Sequence, residues 1–261
     1  MKYSVLVFLL LFSGVAFAQT PTEIERDLVR LYGDVEKYSS YSGSYSEERE
    51  ESLYKANDAF KAGLLKATAK NPSVLRHSFP ELSEQIVITT SPDGKFRAYS
   101  WDQLSGGTMH FYDVVYQYES GGRVYSSSTE GFEGDPLGFV NSIYDVDLPS
   151  GRIYLVVTTS VLSTSLRGQS VTAVKVKRGQ ISEDVAVFKT GSGMRGSIGF
   201  AYDFFSVVDR EERPVKLFDY DSKSKILSFP VVIEDEATPQ GRVTDRRIKY
   251  ALQNGIFVKS K

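Results

Sequence analysis

Apolar residues recur at helical spacing in the first quarter of the chain, and from about residue 86 onward they alternate with polar ones. Ile24, Leu28, Leu31, Tyr32 and Val35 fall on one stripe, with the spacing of an amphipathic helix. Thr22-Glu23-Ile24-Glu25 has the pattern of a capping box, in which a threonine hydroxyl and a glutamate satisfy each other's free amides. The polar stretch KYSSYSGSYS, residues 37–46, breaks the pattern. A second helix is predicted from about Glu47 to Lys70, with Leu53, Ala56, Phe60, Leu64 and Ala67 on its stripe. Acidic residues in its first turn and lysines at its end suit the helix dipole. So narrow a stripe requires a partner, either the first helix or one face of a sheet; a protein-binding arm is the alternative.

NPSVLRHSFPELSEQ, with two prolines and His77, reads as a linker. After it, strands are predicted at 85–90, 95–101, 107–119, 123–128, 140–147, 152–163, 170–178, 183–190, 197–207, 214–220, 225–234, 241–251 and 256–259. Turn signals separate them, among them Pro92-Asp93-Gly94, Ser120-Gly121-Gly122, Pro149-Ser150-Gly151 and Gln253-Asn254-Gly255. Ile153–Val157 is apolar on both faces and so belongs in the middle of a sheet. The expected fold is mainly β with N-terminal α-helices: an antiparallel meander sheet or barrel, or an incomplete β-propeller-like domain. Residues 1–18 form a leader, 19–80 the helical region and 81–261 the β domain.

The hairpin around SPDGKFRAYSWDQLSGGTMHFYDVVYQYE, residues 91–119, holds the only tryptophan and one of two histidines. If loop 102–107 closes symmetrically, Trp101 faces Thr108, Tyr99 faces His110 and Arg97 faces Tyr112. One face then carries those six residues beside Asp102, an aromatic surface with hydrogen-bonding groups suited to a sugar or peptide. The other carries Phe96, Ala98, Ser100, Met109 and Phe111 as a core face. Burial of the aromatic face beneath the helices is the competing expectation, since tyrosine and tryptophan commonly bury their rings while pairing one polar atom. Gly106-Gly107 is expected to supply positive φ.

Composition narrows the function. MKYSVLVFLLLFSGVAFA has a lysine, an apolar run and a small-x-small end, the pattern of a secretory signal cleaved after Ala18. No later segment has the apolar length of a membrane span. Without Lys2 the chain carries 30 basic and 33 acidic residues, a balance that argues against nucleic acid. The absence of cysteine excludes disulfides and thiolate metal sites. No metal or other cofactor is expected: two histidines make a histidine-rich zinc site untenable. Asp145/Asp147 and Asp219/Asp221 lack the full calcium-loop pattern and read as turn residues. Ser105, His110 and Asp102 lie close in sequence without a Gly-x-Ser-x-Gly elbow, and Gly191–Gly196 lacks the lysine–serine ending of a phosphate loop.

SPDGKFRAY and FDYDSKSKILSFP resemble hairpins of β-propeller blades. The longer string from Ser91 to Tyr118, preceded by FPEL and IVITT, resembles a motif of uncharacterised secreted or periplasmic bacterial proteins, and YDSKSKILSFPVV and RIKYALQNGIFV fit the same pattern. The resemblance covers about a third of the chain and carries no activity and no catalytic residues. The expected function is therefore non-enzymatic binding in the cell envelope, periplasm or medium, with a glycan or protein as ligand. A secreted glycan hydrolase using Asp102 and neighbouring carboxylates, or an inhibitor or scaffold engaging a protein partner through its helices, are the alternatives.

Overall fold

The computed structural model describes residues 19–129, 131–132 and 134–260; the expected leader lies outside them. Helix α1 spans Pro21–Tyr38. Its capping box is Thr20 with Glu23, two residues before the expected one: Thr20 Oγ1 accepts the Glu23 amide at 3.3 Å and Glu23 Oε2 accepts the Thr20 amide at 2.8 Å. Pro21 decides the start, because its fixed φ and missing N–H suit the first helical position. Helix α2, Glu47–Thr68, is capped by Ser46, whose hydroxyl accepts the Arg49 amide.

The expected linker is an ordered layer. It contains helix α3, Pro72–Arg76, and a 3-10 turn at Leu82–Glu84, and it buries Val74, Leu75, Phe79, Leu82 and Ile86. Glu25 of α1 fastens it. Glu25 Oε1 accepts the amides of Glu81 and Leu82 at 2.8 and 3.1 Å, and Oε2 lies 2.7 Å from His77 Nε2. Burial pushes the Glu25 carboxyl up, but these three hydrogen bonds outweigh it and hold the group below the usual carboxylate range.

Three sheets follow. The first is β1 (Val87–Thr90), β2 (Phe96–Asp102), β3 (Tyr112–Ser120) and β4 (Arg123–Ser128), an antiparallel meander in that order. The second contains β5 (Phe139–Leu148), β6 (Gly151–Val161) and β7 (Leu166–Lys177), with β8 (Gln180–Ser182) on the end of β7. The third begins with β9 (Phe188–Thr190) and β10 (Gly193–Arg195); β11 (Ser197–Asp203) returns to the second sheet beside β7. The third is completed by β12 (Asp219–Asp221), β13 (Ile226–Asp235), β14 (Thr238–Gln253) and β15 (Ile256–Ser260). All pairs are antiparallel except β9 with β15, and none of the sheets closes into a barrel among the described residues.

Strand periodicity turns these sheets into a stack. In β2, Tyr99 and Trp101 face the helices while Phe96 and Ala98 face the second sheet. In β6, Tyr154 and Val156 face back to the first sheet, whereas Ile153, Leu155 and Val157 face the third. The continuously apolar run is thus a central strand buried on both faces. Helices, first sheet, second sheet and third sheet form four layers, each boundary filled by its own apolar cluster.

The expected strand at 197–207 ends at Asp203. Its carboxylate accepts the Phe205 amide at 2.9 Å and turns the chain into a 3-10 segment, Phe204–Val207. Segment 208–218 is then held by Gln169 of β7, which is buried. Gln169 Nε2 donates to Val215 O at 3.0 Å, and Oε1 accepts the amides of Leu217 and Phe218 at 2.8 and 3.3 Å.

Candidate ligand-binding site

The hairpin register differs from the symmetric one. Trp101 pairs with Asp113, Tyr99 with Val115, Arg97 with Gln117 and Asp102 with Tyr112. Thr108 and His110 therefore lie in the connecting loop 103–111, as do Met109 and Phe111, which leave the expected core face. The loop is long because it has its own hydrogen bonds. Asp102 Oδ1 accepts the Leu104 amide at 2.8 Å, Leu104 takes φ 54°, and the Gln103 amide donates to Phe111 O at 2.8 Å. Neither Gly106 nor Gly107 takes the expected positive φ; Gly106 is required instead by space, since a Cβ there would sit 2.0 Å from Met109 O.

Arg97, Tyr99 and Trp101 do share a face, but it is the face under the helices. Trp101 is 1% exposed and Tyr99 0%. The Trp101 indole donates to Asn57 Oδ1 of α2 at 3.1 Å, and Phe60 meets its ring edge-on at 5.0 Å. The Tyr99 hydroxyl donates to Gln117 Oε1 at 2.8 Å, and the same glutamine's amide holds Thr68 O and Asn71 O at the end of α2. Arg97 donates to Thr90 Oγ1, His77 O and Val74 O. Each polar atom named here has a partner inside the protein, so the three side chains tie helices to sheet and present no surface to a ligand.

Asp102, His110 and Tyr112 gather instead at the open end of the first sheet. The His110 amide donates to Val161 O at 3.0 Å, pinning the loop to the end of β6. Asp102 Oδ2 lies 2.5 Å from His110 Nδ1, so the carboxylate fixes the imidazole and leaves Nε2 without a hydrogen bond among the described residues. Tyr41, 46% exposed, stands 5.4 Å from the His110 ring; His110 to Tyr112 is 6.4 Å and Tyr112 to Phe139 is 5.5 Å, centroid to centroid. The result is a track of four part-exposed rings. Burial first, and the Asp102 charge second, push the Tyr41 phenol up to about 12 and raise Tyr112 as well, so both remain hydroxyl donors at neutral pH. Thr108 is exposed on the same loop.

Past Phe139 the track opens into a recess of about 170 Å³ lined by Tyr202, Phe204 and Val215 together with Arg167 and Arg213. Neither Tyr41 nor any residue of the recess stood out in the sequence. Tyr41 is one aromatic in a polar break, and the recess is assembled from positions 139 to 215, which only the strand pairing brings together.

Ser105 is not joined to the histidine: its hydroxyl is directed to Gln103 Oε1 at 3.4 Å. Among the described residues no three His, Asp or Glu side chains converge on a point where a metal ion could sit. Asp147 pairs with Arg152, and Asp221 accepts the Lys223 amide and the Ser224 hydroxyl of its own turn. The chain matches no protein-family model, and no curated protein and no solved structure matches it.

Proposed function

We propose that the protein is an exported, non-enzymatic binding protein of the cell envelope, and that it holds its ligand on the ring track from Tyr41 through His110 and Tyr112 to Phe139. The track carries the proposal: four rings in file, part-exposed, with hydroxyl and imidazole groups between them, offer stacking and hydrogen bonds together, as a sugar or peptide requires. Export rests on the pattern of residues 1–18 and on the resemblance of the hairpin to secreted and periplasmic proteins. The apolar stripes of α1 and α2 are engaged by the first sheet, so a partner of the helical arm would have to meet their polar faces.

The test is a thermal-shift screen of the protein against envelope glycans and peptides, repeated on Tyr41→Ala. A ligand at a hundred times its dissociation constant adds about 2.7 kcal/mol, roughly a 5 to 11 °C rise for a chain of this size. The expected result is a shift lost in Tyr41→Ala, whose unliganded melt stays unchanged. A shift of equal size in both proteins would place the ligand elsewhere.

A hydrolase is the second reading, and Asp102 with His110 is what favours it. A carboxylate-oriented imidazole with a free Nε2 has the geometry of a general base. Asp102 itself is engaged by His110 and the Leu104 amide, so histidine rather than aspartate would take the proton. Turnover of any screened glycan, abolished in His110→Ala, would replace binding by catalysis.

A further inference from the structure

We propose that the recess beyond Phe139 is a binding site for a small organic carboxylate: the carboxylate on Arg167, the apolar body against Phe139, Phe204 and Val215. The site is separate from the ring track and shares only Phe139 with it.

Arg167 is singled out by how its guanidinium is used. Nη1 donates to Leu166 O at 3.1 Å and to Ser163 O, and the group lies over the Phe204 ring at 5.0 Å. Nε and Nη2 have no acceptor in the protein among the described residues, and neither is enclosed. Those two N–H groups form the edge that matches a carboxylate bidentately. No Asp or Glu pairs with Arg167 among the described residues. Other part-buried arginines spend their guanidinium groups inside the protein: Arg49 leaves its Nε unpaired but enclosed, and gives Nη2 to Lys37 O, Ser39 O and Ser42 Oγ. Arg152 faces Asp93, Asp145 and Asp147, while Arg247 donates to Ser228 Oγ, Ser228 O and Leu217 O. A desolvated cation without an acid is costly, and burial accordingly pushes the Arg167 pKa down.

Tyr202 is a second and independent pointer. It is only 1% exposed and lines this recess, and its hydroxyl makes no hydrogen bond to the described residues yet is not sealed among the buried unpartnered atoms. Burial raises the phenol to about 12, against the nearby cation of Arg167. It therefore stays a donor on the wall of the recess. Arg213, exposed at the rim with its Nη groups on the carbonyls of Arg210, Glu212 and Val208, adds positive potential at the mouth and steers an anion in. The volume admits one ring or a short chain, not a polymer.

Calorimetric titration with phenylacetate, hexanoate and indole-3-acetate, each against its own amide, tests this. At least one acid should bind, its amide about tenfold or more weakly, with affinity falling as salt rises. Arg167→Gln should abolish binding, and Tyr41→Ala should leave it intact even if the track proposal is wrong. Should Arg167→Gln misfold, Tyr202→Phe keeps the ring, removes one donor and should weaken the acid several-fold without affecting the amide. No binding by any acid at millimolar concentration, equal binding of acid and amide, or wild-type affinity in both Arg167→Gln and Tyr202→Phe would overturn the assignment.

Discussion

Replacing Trp101 by alanine tests whether the centre of the hairpin is core. Trp101 is enclosed by α2, with Phe60 at 5.0 Å and its indole N–H on Asn57 Oδ1. Truncating a buried tryptophan costs about 3–5 kcal/mol, and here the change also leaves Asn57 Oδ1 without its donor, which places the effect in the upper part of that range. At roughly 2–4 °C per kcal/mol for a chain of this size, the midpoint should fall by about 8–20 °C. Trp101→Phe retains a ring against Phe60 and removes the donor, so it should cost less, about 1–3 kcal/mol for the orphaned carbonyl plus a small cavity. Urea melts followed by far-ultraviolet circular dichroism give both numbers. The wild-type fluorescence adds a check, because Trp101 is the only tryptophan and acrylamide should barely quench it until the protein unfolds. A Trp101→Ala protein within about 1 kcal/mol of wild type, or emission quenched like free indole, would refute the packing described and reopen the face to ligands.

Glu25→Gln should flatten the acid limb of the stability curve. The carboxyl of Glu25 is depressed in the folded state, so its contribution is present above the ordinary value of 4.5 and is lost as pH falls through the folded value; melts from pH 7 to pH 3 should show a steeper decline in wild type than in the variant. Gln169→Leu strands the Leu217 and Phe218 amides and leaves Val215 O only the 3.4 Å hydrogen bond from Asn141 Nδ2, for a loss of about 2–4 kcal/mol, and hydrogen exchange at residues 217 and 218 should accelerate more than in β13. Gly138→Ala puts a Cβ 2.4 Å from Thr159 O; it should cost about 1–3 kcal/mol by overpacking and lower the affinity of any ligand that touches Phe139, measured by calorimetry. N-terminal sequencing of the exported chain should begin at Gln19.

The sequence disclosed elements better than their meetings. Strand β4 falls on the predicted 123–128, and Asn254-Gly255 forms the expected tight turn with φ of 51° and 85°, because alternation and turn chemistry are local. Of the predicted α2 stripe, Leu53, Ala56, Phe60 and Leu64 are buried as their spacing implies, and Ala67 is half-buried against them. The site was less legible. Alternation correctly put Arg97, Tyr99 and Trp101 on one face, yet it cannot say which face is covered, and a symmetric loop was the wrong register. His110 and Asp102 do meet, through a loop whose geometry depends on Leu104 at positive φ and on the tight approach at Gly106. The recess depends on Gln169 holding segment 208–218, a long-range contact with no sequence signature.

The layers are stacked in nearly the order in which the chain is made. Only β9, paired with the late strand β15, its neighbour β10, and β11 depart from it. A chain emerging N-terminus first can therefore pair its helices with the first sheet once β4 is out, and from then on it carries a bare aromatic face: Phe96, Tyr116 and Tyr118. Arrival of β5 to β7 covers that face and exposes another, Ile153, Leu155 and Val157, until the β13–β15 meander docks. Growth thus passes one adhesive surface along the molecule from layer to layer. Holdase chaperones should bind most avidly to chains halted after β4 or after β7, and ribosome-stalled chains of graded length would reveal two such peaks.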